Sequence, residues 1–258
     1  MIDTHTHLNL TTFSQNLDMI IASAIKNHVN KIIIPATNLK DAKTALLISE
    51  KYPSCYASVG IHPENIKDYT KNNNLQKEML TLLKHKKAVA IGECGLDYYW
   101  EKDPLLQKKQ VDLFLFHLLL ARKTSYPLII HNRNAHFQIL STLKDFIKKT
   151  NYQPRGVFHC FSGNQQFLEQ ILSLGFFIGF DGNITYQKSL SPLVAKTPLD
   201  KLLLETDSPY LTPTPLKGEI NQPKNLIYIA KKIAEIKNIP LDKIICQTTT
   251  NAKNLFNI

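Results

Sequence analysis

AVAIGE, residues 88–93, is a short apolar run that ends on a carboxylate. Its apolar residues are continuous rather than alternating, which fits a strand buried on both faces, as in a parallel sheet covered by helices. Seven more such runs lie on either side of it: Ile2–Thr4, Lys31–Ala36, Tyr56–Gly60, Pro127–Ile130, Val157–Phe158, Phe176–Gly179 and Leu202–Leu204. Between and after them the spacing predicts helices over about 14–28, 39–51, 74–86, 104–124, 134–149, 164–174, 188–196, 224–237 and 241–256. Asp103-Pro104 predicts an N-cap and a first helical residue, and Gly175 a helix C-terminus. Strands and helices in alternation imply parallel pairing through right-handed crossovers. A closed (β/α)8 TIM barrel of the α/β class is the simplest architecture that fits, with an open doubly wound sheet as its competitor. No linker, repeat or composition break divides the chain, so residues 1–258 are expected to form a single domain.

With 43% hydrophobic and 20% charged residues, the chain can bury a sizeable core, and wholesale disorder is excluded. The longest mostly apolar stretch, Val111–Ala121, contains Asp112 and His117 and falls short of the ~20 residues that span a bilayer. MIDTHTHLNL carries neither the basic region nor the apolar run of a secretory signal. The four cysteines form no CxxC, so a disulfide framework is not expected. A soluble, cytoplasmic chain follows as the expectation, with no membrane attachment and no obligate protein partner. The net charge of +10 suits a polyanion such as nucleic acid. Yet 28 of the 31 cations are Lys, and Ile and Asn are abundant, so compositional drift explains the charge equally well. No GxGxxG or GxxxxGK[ST] is present to cradle phosphate.

Position carries more than composition. Barrel enzymes place their sites at the C-terminal ends of the strands. There the chain puts His5 and His7, His62, Glu93, His131, His159, Asp181 and Asp207. The other four histidines (His28, His85, His117 and His136) fall in predicted helices or at their ends. His5-x-His7 places two imidazoles on one face of an extended segment. Burying so many titratable groups together is costly without a counter-charge. Four His and two carboxylates exceed what one catalytic ion takes, and fit a pair of ions sharing a carboxylate. Alternation turns Cys94 and Cys160 away from their ligand neighbours, toward the helices. Arg133 could face the site and fork a phosphate, or form a salt bridge at the rim. His62 could be a ligand, a substrate contact or an orienting group. Tyr98-Tyr99-Trp100 could stack bases or pack as a loop.

Seven motifs occur in order: DTHTHL at 3–8, VGIHPE at 59–64, GECGLDYYW at 92–100, IIHNRNAH at 129–136, FHCFSG at 158–163, LLETDSPYLTP at 203–213 and TTTNAKNLF at 248–256. Together they resemble the TatD family of metal-dependent deoxyribonucleases, within the amidohydrolase-like metal hydrolases. The resemblance implies a (β/α)8 barrel with two divalent ions, one held by His5, His7 and Asp207, the other by His131 and His159, with Glu93 bridging. It places His62 near the site rather than among the ligands. Imidazoles suit Zn or Mn, whereas carboxylate and phosphate suit Mg.

The resemblance also implies hydrolysis of DNA phosphodiester bonds, in some members as a 3′–5′ exonuclease. Asp207 would then move the proton and Arg133 would position phosphate. A hydrolase of small amides, esters or phosphoesters is the alternative. A nucleic-acid-binding protein without catalysis is disfavoured, because all six ligand positions are filled. The chain departs from the family where Arg-Gly-x-Arg-Asn-Glu-Pro often follows LTP. Here Lys217-Gly218-Glu219-Ile220-Asn221-Gln222-Pro223 stands instead. Cys94 also replaces a frequent apolar residue or Thr.

Overall fold

The computed structural model describes residues 1–66 and 74–258. The strands are β1 (Ile2–Asp3), β2 (Lys31–Ile34), β3 (Cys55–Val59), β4 (Ala88–Asp97), β5 (Leu128–Arg133), β6 (Gly156–Phe158), β7 (Phe177–Phe180) and β8 (Leu202–Leu204). All eight lie side by side in chain order, each parallel to the next. The last returns to the first. Thr4 N–H donates to Leu204 O at 3.1 Å, Asp207 N–H donates to His5 O at 2.9 Å, and Thr6 and Ser208 form a parallel bridge. An open sheet would leave those edges unpaired, so the barrel is the arrangement adopted.

The helices are α1 (Leu17–Lys26), α2 (Leu39–Lys51), α3 (Leu75–Leu83), α4 (Pro104–Thr124), α5 (His136–Thr150), α6 (Gln165–Ser173), α7 (Ser191–Lys196), α8 (Leu226–Lys237) and α9 (Leu241–Phe256). Asp103 caps α4 by accepting from Leu105 N–H at 2.8 Å. Gly175 follows α6 at φ +84°, a conformation open to glycine at little cost. Two segments differ from the expected helices. Residues 14–28 contain only α1, preceded by a 3-10 turn at Thr11–Phe13. Residues 188–196 split into a 3-10 turn at Lys188–Leu190 and then α7. Pro192 is the cause of that split, since it fits only the first turn of a helix.

The larger core lies between strands and helices. A smaller one fills the barrel, where Ile2, Ile33, Ile129, Val157 and Leu203 meet Leu255 and Phe256 of α9. Asn251 of α9 donates to Leu199 O at 2.8 Å and Leu202 O at 2.9 Å, at the start of β8. The C-terminal helix therefore plugs the N-terminal end of the barrel and leaves the opposite mouth to polar side chains. Among the described residues no helix is long and apolar enough to cross a membrane.

Strands β4 and β5 run further than their apolar runs suggest, so Glu93 and His131 lie within strands rather than after them. The β4–β5 register shifts between Ile91 and Cys94, the mark of a bulge, which re-aims side chains. Gly95 makes the extension possible. It sits at φ +141°, and a Cβ there would stand 1.9 Å from His131 O.

Candidate metal centre

Glu93 is the hub of the mouth, with 3% of its surface exposed. Its Oε1 faces His159 Nε2 at 2.7 Å, His131 Nδ1 at 3.0 Å and His62 Nε2 at 3.4 Å. Its Oε2 faces His5 Nε2 at 3.3 Å and His7 Nε2 at 3.9 Å. Asp207 Oδ1 lies 3.4 Å from His7 Nε2 and 3.7 Å from His5 Nε2. Each oxygen of Glu93 thus addresses a different group of imidazoles. Three sets, His5/Glu93/His159, His5/His7/Asp207 and His62/Glu93/His131, bring ligand atoms within 4.8 Å of one another. His131 Nδ1 and His159 Nε2 are 3.3 Å apart, so these two also converge with Glu93. All six residues expected as ligands meet at this mouth, and His62 joins them.

Burial raises the carboxyl of Glu93, but the charges of His159, His62 and His5 and the His131 hydrogen bond outweigh it and hold the group well below its ordinary value. Asp207 is likewise held low against burial, by its bond to His7 and the charges of His5 and His7. Burial lowers His131, yet bonds to Asp97 and Glu93 bring it up to about 9. Burial, followed by the His159 charge, pushes His5 down to about 4. Two ionised carboxylates therefore face a neutral His5. Neither ring nitrogen of His5, nor Nδ1 of His159, has a hydrogen-bond partner although all three are buried. Buried polar atoms without partners are costly, and a cation is what the neutral His5 Nε2, lying between the carboxylates of Glu93 and Asp207, would accept. The donor set fits divalent metal.

Arg133 ends β5 on the exposed rim, with its guanidinium carbon 4.1 Å from the Tyr99 ring centroid. Its partner is aromatic rather than a carboxylate. Cys94 follows the expected phase. It is fully buried in the helix-facing core, with its thiol 3.6 Å from Ile129 O. Cys160 does not. Because β6 ends at Phe158, strand alternation no longer governs residue 160, which turns to φ +45°. Its sulfur lies 3.9 Å from Asn183 Nδ2, beside Asp181 at the mouth and away from the helices.

Several supporting residues escaped the sequence reading. Asp97 Oδ2 sits 2.9 Å from His131 Nε2 and holds the ring from behind, as partners of metal-ligating histidines do. It shares strand parity with Glu93, a signal that period-two counting along a longer β4 could have caught. Asp3 accepts from Thr206 N–H at 3.0 Å and Thr206 Oγ1–H at 2.7 Å, fastening β1 to the segment after β8. Burial pushes Asp3 up to about 6 against those bonds. Glu205 accepts the Cys160 backbone N–H and so supports the turn after His159. Buried His117 of α4 accepts from Ile61 N–H at 3.2 Å and donates through Nδ1 to Leu113 O at 2.7 Å, anchoring the segment that carries His62. The altered 217–223 loop keeps an internal anchor: buried Asn221 donates to Thr206 O at 2.9 Å and Tyr210 O at 2.7 Å.

A (β/α)8 barrel with clustered imidazoles and carboxylates at its C-terminal mouth defines the class of metal-dependent barrel hydrolases. The sequence model of the family described as TatD related DNase matches residues 2–257, and the chain belongs to that family. The metal-dependent hydrolase YabD of Bacillus subtilis, itself uncharacterized, is 35% identical over 260 residues, covering 100% of this chain and 99% of its own. The 3′-5′ ssDNA/RNA exonuclease TatD of Klebsiella pneumoniae is 31% identical over 265 residues, covering 100% and 98%. The crystal structure of YJJV, a TatD homologue from Escherichia coli K12, superposes with a TM-score of 0.89 at 32% identity, covering 100% of this chain and 98% of the other. The chain is accordingly an enzyme, a metal-dependent hydrolase acting on ester bonds.

Proposed function

We propose that the chain is a cytoplasmic deoxyribonuclease that hydrolyses DNA phosphodiester bonds, working from 3′ to 5′ on single strands, with two divalent ions at the barrel mouth. One observation carries this reading. Glu93 divides its two oxygens between the His5/His7 side and the His131/His159 side, an arrangement that would let one carboxylate serve two cations. His5, His7 and Asp207 would hold one ion, His131 and His159 the other, and Mg, Mn and Zn all suit parts of this donor set. Bound there, the ions would supply Lewis acidity and neutralise charge on the phosphate. Asp207, ionised at the edge of the cluster, is the residue placed to accept a proton from the attacking water. His62 lies close enough to Glu93 to orient it. Arg133, on the rim, supplies a fixed cation for the phosphate chain. The exonuclease name of the relative from Klebsiella pneumoniae supports single strands as substrate.

The test is metal-stripped protein reloaded with Mg, Mn or Zn and offered single-stranded DNA, duplex DNA, RNA and a small model ester. Metal-restored cleavage of single-stranded DNA is the expected result. Turnover of the ester with no cut in any nucleic acid would favour the small-substrate hydrolase.

A further inference from the structure

Four aromatic side chains are exposed among the described residues: Tyr99 (44%), Trp100 (62%), Phe137 (86%) and Tyr210 (55%). All four lie on segments that leave a strand at its C-terminal end, after β4, β5 and β8. Of the six exposed large aliphatic residues among those described, Met19, Ile25, Leu47, Leu105 and Leu119 sit instead on α1, α2 and α4, and Ile220 alone shares the segment after β8 with Tyr210. Tyr99 and Trp100 form a built corner rather than a loose loop. Their rings meet edge to face at 4.9 Å. Asp97 Oδ1 accepts both of their backbone N–H groups, at 2.9 Å and 3.0 Å. The other oxygen of that carboxylate holds His131, so the corner is fixed in register with the metal centre. Cations line it, with the Arg133 guanidinium 4.1 Å from the Tyr99 centroid and 5.6 Å from that of Trp100, and Lys102 Nζ 5.6 Å from Tyr99.

Packing has not hidden these rings, although burying them would be favourable. A rigid aromatic face beside fixed cations matches one ligand chemistry, an unpaired base attached to a phosphate. A paired base has no free face to offer. We infer that Tyr99 and Trp100 form a base-stacking platform, with Arg133 on the adjoining phosphate, that seats an unpaired nucleotide of the substrate strand next to the scissile bond. This rests on the nuclease reading above and deepens it. The platform makes the enzyme select single strands by stacking, without reading sequence.

Trp100 is the chain's single tryptophan and reports on its own surface. Oligothymidylate should quench its fluorescence saturably, and a blunt DNA duplex should quench it far less. Trp100→Ala and Tyr99→Ala should each weaken binding of a labelled oligothymidylate to the metal-loaded enzyme by about 5- to 150-fold, the usual range for one stacked base. Against an abasic phosphodiester strand, which has nothing to stack, that loss should shrink to less than about twofold. Neither side chain belongs to the buried core, so the variants should fold, and unchanged circular dichroism and metal content check this.

Equal binding by wild type and both variants, while wild type still cuts DNA, overturns the platform and leaves the nuclease reading standing. Saturable quenching by oligothymidylate without cleavage under any metal supports the platform and removes the nuclease reading. Concentration-dependent dimerisation that Trp100→Ala abolishes, with fluorescence indifferent to oligothymidylate, would make the corner a self-association surface and overturn the proposal.

Discussion

At Asp97 one carboxylate serves two neighbours, the His131 ring and the Tyr99–Trp100 turn. Asp97→Asn keeps the shape and removes the charge behind His131. Metal affinity should fall by about 10- to 100-fold, the usual cost of losing such a partner, as read by calorimetric titration of the stripped protein. Asp207 argues differently. Asp207→Asn removes the carboxylate proposed above as proton acceptor and should lower turnover by about 10² or more, while oligonucleotide affinity changes far less. Wild-type turnover in that variant would refute the assignment. Cys94→Ala should leave metal content unchanged and cost stability on the order of 1 kcal/mol, because the thiol packs against helices.

Elements hold the site through a few backbone contacts. Strand β4 passes β5 so closely at Gly95 that any side chain would strike His131 O. Gly95→Ala combines that clash with a strained φ. It should destabilise the protein by about 2 kcal/mol or more in urea unfolding, and should displace Glu93 and His131 enough to weaken metal binding. Helix α4 reaches β3 through His117, which burial pushes down to about 4 although its bond to Leu113 O acts the other way. The unfolded chain takes up a proton at His117 near pH 6.5, whereas the folded chain resists until about pH 4. His117 therefore favours the folded state fully above about pH 6.5, and that contribution is lost as pH falls toward 4, by about 3 kcal/mol in all. His117→Gln should flatten the difference in unfolding free energy across that window.

The whole molecule is a polycation with its site at one end of a plugged barrel. If its charge serves the substrate, oligonucleotide affinity should fall steeply and linearly in log salt, as phosphate contacts release counterions. Affinity indifferent to salt would return the +10 charge to compositional drift. Metal at the mouth would contact residues of β4 and β5 and of the segments after β1, β6 and β8, which only the folded chain brings together. Loading should therefore raise the melting temperature in a metal-concentration-dependent way, and a chelator should reverse it.

Barrel architecture and the six residues at its mouth were legible in the amino-acid sequence, because both rest on local pattern. Continuous apolar runs mark strands buried on both faces, and the residue that ends each run falls at one end of the sheet. The phase of Cys94 was legible for the same reason, since it lies inside a strand. Cys160 was not, because it lies beyond the end of β6, where alternation has no force. Pairing across the chain decided the remainder. Asp3 reaches Thr206 across the seam, Asp97 reaches His131 only because Gly95 lets β4 and β5 run on together, and Arg133 finds Tyr99 rather than a carboxylate. Those contacts join residues distant in sequence. Their partners are set by strand register and close approach, which exist only once the barrel has closed.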